Sequence, residues 1–184
     1  FGGSCFQKDI LNLVYLCRHF GLPEVANYWE SVVALNTWQQ HRIARLVVQK
    51  LFGTVTGKRL AILGFAFKAD TNDTRESPAI RICRDLLEEG AQLAIHDPKV
   101  TAQQIARDLQ QEASPQPDAL SGTGSWAEAG SVEDAVTGAD AVLVLTEWQH
   151  YKVLNWMALA ALMRKPAWLF DARAVTDPEQ VRAA

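Results

Sequence analysis

A cysteine near the start of the sequence stands where a helix is predicted to begin. Ser4 and Gln7 have the spacing of a capping box, so Ser4 is the predicted N-cap and Cys5 falls in the first helical turn. The free backbone N–H groups and the positive end of a helix dipole favour a thiolate at such a position. An accessible thiolate is a nucleophile toward carbonyl carbon, whereas most free cysteines are small buried hydrophobes. The residue type alone leaves both interpretations open.

The neighbours of Cys5 favour the chemical interpretation. Gly2 and Gly3 precede it and, having no side chains, are expected to let a ligand approach the backbone. Lys8 and Asp9 follow within two helical turns and supply a cation and a possible base. A thiol, a base and an open backbone together predict covalent chemistry on a carbonyl group.

A second group of candidates consists of cations beside predicted strand ends. Lys68 and Arg75 lie in the polar loop after the first predicted strand, and Arg173 follows the last one. In open α/β sheets ligands bind at the carboxyl ends of the strands, so these side chains are candidate partners for the phosphates of a mononucleotide diphosphate. The simpler alternatives are solvated charges for Lys68 and Arg75, and a surface salt bridge to Asp171 or a neighbour for Arg173.

Other expected signatures of nucleotide or metal sites are weak in this sequence. The loop after the first predicted strand is not Gly-x-Gly-x-x-Gly, so the standard dinucleotide fingerprint is missing from this domain. Asp97 follows the second predicted strand, where many nucleotide folds hold a ribose, but Asp97-Pro98 is interpreted as the start of a turn. The four histidines lack the spacing of metal ligands, so no metal site is predicted.

The elements that must position these residues change character along the chain. Apolar spacing predicts a helix over residues 10–20 and a long helix from residue 24 to about residue 52. The long helix is apolar on more than one side, which predicts a connector and a homodimer interface. Four predicted strands (59–64, 92–96, 141–145 and 167–170) then alternate with predicted helices (77–89, 101–111, 131–137 and 154–163), and residues 113–130 are predicted to form a surface loop with at most one short strand.

This alternation predicts an α/β fold. We expect a helical connector over residues 1–53, which carries the cysteine, followed by a doubly wound, Rossmann-like parallel-sheet domain over residues 54–184.

The composition is that of an ordinary globular protein. The 184 residues are 48% hydrophobic and 21% charged, and the net charge of −3 gives no reason to expect nucleic-acid or membrane binding. No apolar run approaches the roughly 20 residues of a membrane span, and no secretion signal is visible. Three cysteines at irregular spacing argue against a disulfide framework and favour a reducing, cytoplasmic location. Because the sequence starts without methionine inside a candidate motif, we expect a fragment of a longer protein.

Four segments together carry a resemblance to a known family. Residues 1–9 (Phe-Gly-Gly-Ser-Cys-Phe-Gln-Lys-Asp), 64–68 (Gly-Phe-Ala-Phe-Lys), 73–77 (Asp-Thr-Arg-Glu-Ser) and 170–173 (Phe-Asp-Ala-Arg) resemble the UDP-glucose 6-dehydrogenase family. The resemblance implies oxidation of UDP-glucose to UDP-glucuronate with NAD, through a cysteine thiohemiacetal and thioester. It also implies that this chain is the central and C-terminal portion of such an enzyme, without the N-terminal NAD domain.

The resemblance also implies roles for individual residues. Cys5 corresponds to the nucleophile and Asp9 to the carboxylate that helps activate the hydrolytic water. Lys8 and Arg75 correspond to contacts with NAD. The residues that correspond to contacts with the UDP-sugar are Phe1, Gly2, Phe67, Lys68 and Arg173.

Two expectations and two alternatives accompany these roles. The chain alone is expected to have no dehydrogenase activity, and the long helix is expected to form a homodimer. The alternatives are a related dehydrogenase of GDP-mannose or a UDP-N-acetylhexosamine, or a non-catalytic UDP-binding or dimerisation module with an inert Cys5.

Overall fold

The computed structural model describes residues 1–114 and 123–184. Residues 115–122, the middle of the predicted 113–130 loop, lie outside the described residues. The helices in the described part are α1 (Ser4–His19), α2 (Pro23–Lys50), α3 (Pro78–Glu88), α4 (Ala102–Leu109), α5 (Val132–Val136), α6 (Trp156–Leu162) and α7 (Pro178–Ala183). The strands are β1 (Arg59–Leu63), β2 (Gln92–His96), β3 (Ser125–Glu128), β4 (Ala141–Val144) and β5 (Trp168–Asp171). A 3₁₀ turn, Gln149–Val153, precedes α6.

The first two helices form a hairpin with a small core of its own. Ile10, Val14 and Cys17 of α1 are buried in one cluster with Ala26 of α2. The long helix begins and ends within two residues of its predicted limits because Pro23 is accepted in a first helical turn and no later residue breaks the pattern.

The α2 helix also joins this hairpin to the rest of the molecule. It packs against α3, and His41 Nδ1 on α2 lies 2.6 Å from Asp85 Oδ2 on α3. Ala44, Val47 and Leu51 extend the same contact into the main core.

The sheet has five parallel strands in the order β3-β2-β1-β4-β5. β1 and β4 lie at its centre, and their residues from Leu60 to Leu63 and from Ala141 to Val144 are fully buried. The α3 helix packs against α2 and α4, whereas α5 packs against α6, so helices form separate layers beside the sheet. The predicted α/β architecture, a helical connector followed by a parallel sheet, is confirmed.

The start of α3 is the clearest agreement between sequence and structure. Ser77 is the N-cap, its hydroxyl accepts a hydrogen bond from the Ala79 N–H, and Pro78 occupies the first helical position. The Ser77 hydroxyl also donates to the Phe65 carbonyl at 2.8 Å. This contact fixes the end of the β1 loop against the start of the next helix.

The last two helices differ from the prediction. The predicted helix over residues 154–163 is shorter, because Asn155 caps it and accepts a hydrogen bond from the Ala158 N–H. The α7 helix was not predicted, although Asp177 and Pro178 form an N-cap and first-turn pair there. Among the described helices, none combines the length and hydrophobicity that crossing a bilayer requires.

Candidate functional site

The order of the strands marks one place on the sheet where a ligand is expected. The chain runs from β1 outward to β2 and β3 and then returns to β4 on the other side of β1. In such sheets the crevice at the carboxyl ends of the two central strands is the usual binding site. The loop after β1 carries Phe67 and Lys68, and the loop after β5 carries Arg173.

A glutamate that sequence analysis did not single out brings the two cationic loops together. Glu147 follows β4, and its Oε2 atom accepts hydrogen bonds from both Nε, at 2.7 Å, and Nη2 of Arg173. Its Oε1 atom lies 3.4 Å from the donating N–H of Ala69, the residue after Lys68. Arg173 therefore forms a salt bridge with a neighbour, whereas the Asp171 carboxylate accepts from the backbone N–H of Arg173.

The residues on either side of Glu147 fix its position. Thr146 donates from Oγ1 to the Ala66 carbonyl at 2.7 Å, and Trp148 donates from Nε1 to Asp97 Oδ2 at 3.2 Å. Three consecutive side chains thus connect the loop after β4 to the loops after β1, β2 and β5.

Asp97 lies at the centre of these connections. Its Oδ2 atom accepts from the N–H groups of Phe65 and Ala66 at 2.7 and 3.0 Å, in addition to Trp148. Its Oδ1 atom accepts from the N–H groups of Lys99 and Val100 at 2.9 and 3.0 Å. Five donors of the chain itself occupy the carboxylate, so its interpretation as a turn residue is confirmed and it has little capacity left for a ribose.

Cys5 lies in the first turn of α1 and is exposed, whereas Cys17 and Cys83 are buried. The predicted capping box is wrong: Gly3 is the N-cap, and no side chain caps the helix. Gly3 adopts φ +86°, which glycine accepts readily, and its N–H donates to the Glu76 carbonyl at 3.3 Å. This hydrogen bond joins the start of α1 to the loop before α3.

The two glycines make room for neighbouring parts of the chain. A Cβ atom on Gly2 would lie 2.6 Å from Pro78 Cδ, and one on Gly3 would lie 2.9 Å from the Phe67 ring. Gly3 thus lets the cysteine-bearing turn dock directly on Phe67, the residue before Lys68, and Gly2 lets it dock on Pro78. The approach of a ligand to the other side of this backbone stays a prediction.

The backbone of Phe1 is held by a buried polar residue of the long helix. Asn36 on α2 is 8% exposed, accepts from the Phe1 nitrogen at 2.7 Å, and donates from Nδ2 to the Phe1 carbonyl at 3.0 Å. The Phe1 and Phe6 rings pack edge to face, with centroids 4.8 Å apart. A lone asparagine within a long helical pattern gave no sequence signal for this contact.

The remaining candidate residues, Lys8, Asp9 and Arg75, are exposed. Arg75 donates to the Asp73 carboxylate, with Nη2 2.7 Å from Oδ2, and this hydrogen bond lowers the pKa of Asp73. The same hydrogen bond is the largest cause of the raised pKa of Arg75. Lys8 and Asp9 are exposed and have no ion pair within the described residues.

A sequence profile identifies the sheet domain. Residues 61–178 match the UDP-glucose/GDP-mannose dehydrogenase family, UDP binding domain. The chain belongs to this family.

Curated relatives extend the similarity over the helical hairpin. UDP-glucose 6-dehydrogenase 2 of Oryza sativa subsp. japonica is 48% identical over 189 residues, which cover 99% of this chain and 39% of the relative. UDP-glucose 6-dehydrogenase 4 of Arabidopsis thaliana is 46% identical over the same shares. The chain spans about two fifths of the length of the curated relatives it matches.

A solved structure shows the same arrangement. A UDP-glucose dehydrogenase from the archaeon Pyrobaculum islandicum superimposes with a TM-score of 0.73 and 26% identity, covering 99% of this chain and 36% of that one. The relatives are named as dehydrogenases of a UDP-sugar, and the chain corresponds to a portion of them that includes their UDP-binding domain.

A further aromatic cluster of this family member lies beside the site. His96 Nδ1 lies 2.9 Å from the Tyr151 hydroxyl, which donates to the His96 carbonyl at 3.1 Å. Burial is the largest cause of the lowered pKa of His96, and His150, whose ring centroid is 5.9 Å away, lowers it further. Because a neutral imidazole is favoured there, this cluster contributes packing rather than charge. No group of metal-ligating side chains occurs in the described residues.

Selective alkylation tests the different environments of the thiols. At neutral pH we expect iodoacetamide to modify Cys5 at least about tenfold faster than Cys17 or Cys83, because only Cys5 is exposed. Burial also raises the pKa of Cys83 well above its usual value. Peptide mass spectrometry over a time course measures the three rates.

The same reaction in urea is the control, since unfolding should expose all three thiols. Equal, slow labelling of the folded chain would count against an accessible nucleophile and support the non-catalytic alternative.

Proposed function

We propose that this chain is the central and UDP-binding portion of an NAD-dependent UDP-glucose 6-dehydrogenase. The observation that carries the proposal is the docking of the Cys5 turn on the phosphate-binding side of the sheet. Gly3 lies against the Phe67 ring, Lys68 follows on the same loop, and Glu147 connects that loop to Arg173. These contacts connect the turn that bears the exposed thiol to the loops that bear the two cations.

UDP-glucose is the proposed ligand of this surface. Its diphosphate would be bound by Lys68, whose Nζ lies 5.4 Å from the Phe67 ring centre, and by Arg173. Two Arg173 nitrogens contact Glu147, so the remaining N–H groups are available for charge-assisted hydrogen bonds to phosphate. Phe1, Gly2 and Phe67 are the proposed contacts with the rest of the nucleotide sugar.

NAD is the proposed oxidant, and this chain contributes only part of its site. Lys8, three residues after Cys5 on α1, and Arg75 are exposed cations, a donor set that suits the phosphates of a dinucleotide. Arg75 also lines an open cleft of about 580 Å³ between α2, α3 and α4. When bound, NAD⁺ accepts a hydride from the sugar carbon.

The chain's own residues supply the nucleophile and the base for the second oxidation. The Cys5 sulfur would add to the C6 aldehyde, and the carbonyl oxygen would take the thiol proton, which gives a thiohemiacetal. Transfer of hydride from this carbon to a second NAD⁺, with loss of the hydroxyl proton, would leave a thioester on the sulfur. Asp9 lies four residues after Cys5 on the same side of α1, where its carboxylate can take a proton from the water that attacks the acyl carbon. The C–S bond then breaks and releases UDP-glucuronate and the thiol.

Domain division, assembly and location complete the proposal. The helical region (1–53) carries the thiol and the sheet domain (54–184) binds UDP.

A homodimer through the long helix is supported by three large apolar side chains of α2 that are about half exposed or more, namely Tyr28, Leu35 and Trp38. The three free cysteines support a reducing, cytoplasmic location.

Calorimetric titration of the 184-residue chain with UDP tests the binding half of this proposal. We expect Arg173→Ala and Lys68→Ala each to weaken UDP binding about tenfold or more, because each removes a charge-assisted contact to phosphate. Arg182→Ala, which removes an exposed arginine from α7, is the matched control and should change the affinity less than twofold.

Competing ligands and an activity assay distinguish the alternatives. UDP-glucose should displace UDP better than GDP-mannose or UDP-N-acetylmannosamine, and preference for either of the latter would identify a related dehydrogenase. The chain alone should form no NADH from UDP-glucose and NAD⁺, so sustained turnover would contradict the need for the parts of its relatives that this chain does not span.

A further inference from the structure

We propose that Glu147 is a positioning residue, which orients Arg173 and the Lys68 loop for the diphosphate of the nucleotide sugar. The inference rests on the proposed function and goes beyond it, since Glu147 itself is not a proposed ligand contact. Oε2 of Glu147 accepts from Nε and Nη2, and thereby holds one edge of the planar guanidinium of Arg173. The opposite edge keeps a fixed direction and remains available to an anion.

The carboxylate is itself held in place from three directions. Its neighbour Thr146 donates a hydrogen bond to the Ala66 carbonyl, and its neighbour Trp148 donates one to Asp97. The backbone on either side of Glu147 is therefore fixed. Its other oxygen lies 3.4 Å from the Ala69 N–H. The Glu147 and Arg173 side chains are 35% and 28% exposed, which limits the rotamers that either can adopt.

If Glu147 acted only through its charge, its removal would change the affinity for an anion in the opposite direction. A carboxylate beside Arg173 lowers the positive potential of the surface, so its removal should strengthen the binding of any anion if orientation played no part. If Glu147 positions Arg173, its removal weakens binding even though a negative charge is lost. The sign of the change in affinity therefore distinguishes the two roles.

Three substitutions separate geometry from charge. Glu147→Gln keeps the length and an acceptor oxygen but loses the charge, whereas Glu147→Asp keeps the charge but is one methylene too short. We expect calorimetry with UDP to show Glu147→Gln within about threefold of the wild-type chain, and both Glu147→Asp and Glu147→Ala weakened about tenfold or more. Glu128→Ala, which removes an exposed carboxylate from β3, three strands away from β4, should change the affinity less than twofold.

The proposal is overturned if Glu147→Ala binds UDP as tightly as the wild-type chain or more tightly, or if Glu147→Asp binds and Glu147→Gln does not. Thermal unfolding followed by circular dichroism accompanies each titration. If Glu147→Ala does not fold, the UDP affinities of Glu147→Gln and Glu147→Asp decide between the two roles.

A second measurement needs no ligand. In ¹⁵N NMR spectra of the chain, the Arg173 Nε–H should be shifted downfield and protected from exchange, stay so in Glu147→Gln, and move to the position of a free arginine in Glu147→Ala. If the wild-type chain does not bind UDP, the proposed function is refuted, but the Arg173 Nε–H signal still tests the contact between Arg173 and Glu147. A free Arg173 signal in the wild-type chain would refute the positioning role even if UDP binds.

Discussion

Asp97→Ala should reduce the free energy of unfolding by about 3–5 kcal/mol, because five hydrogen-bond donors around one partly buried carboxylate would lose their acceptor. Four of the donors are backbone N–H groups in the loops after β1 and β2, and three of them belong to the buried residues Phe65, Ala66 and Val100, where water cannot freely replace the lost acceptor. Urea unfolding followed by circular dichroism measures the change.

Two variants define what the Asp97 result means. Asp97→Asn keeps one acceptor oxygen but turns an NH₂ group toward the remaining donors, so we expect roughly half of the alanine effect. Glu128→Ala removes an exposed carboxylate and should stay within about 0.5 kcal/mol of the wild-type chain. A loss below about 1 kcal/mol for Asp97→Ala would show that the loops hold together without this carboxylate.

The second large effect is expected at Gly64, the first residue after β1. Its φ is +94°, and a Cβ atom there would lie 2.4 Å from Thr146 Cβ and 2.8 Å from the Thr146 backbone nitrogen. Since backbone atoms cannot move aside cheaply, we expect Gly64→Ala to cost about 3 kcal/mol or more. UDP binding should also be lost, because Phe67 and Lys68 follow on the same loop.

Gly138→Ala is a matched control for the conformational part of this effect. Gly138 has φ +68°, and an added Cβ would meet nothing within 4 Å. It should therefore cost only about 1 kcal/mol, the penalty of a left-handed backbone. Equal losses of stability in the two variants would show that the close approach to Thr146 is unimportant.

Local sequence patterns predicted most of the elements. The alternation of apolar strands with helices, the Ser77-Pro78 start of α3 and the long α2 helix each depend on residues close together in sequence. The exposed Cys5 and the buried Cys17 and Cys83 were also predictable, because apolar helical spacing identifies only the latter two as core residues.

The contacts that build the candidate site could not be predicted in the same way. Glu147 meets Arg173 across 26 residues and Asn36 meets Phe1 across 35, so neither pairing leaves a local pattern. Gly3 replaced Ser4 as N-cap because docking against Phe67 and Glu76 fixes its backbone in a positive-φ conformation. In each case tertiary packing decided the outcome.

The attachments of the long helix connect the proposed homodimer interface to the position of the Cys5 thiol. Asn36 binds the backbone that leads to Cys5, and His41, little more than one turn later, contacts Asp85 of the sheet domain. A rotation of α2 about its axis would displace both attachments at once. In the proposed homodimer, a second subunit that covers the exposed side of α2 would restrict this rotation, so the free energy of association and the placement of the Cys5 thiol would be thermodynamically coupled.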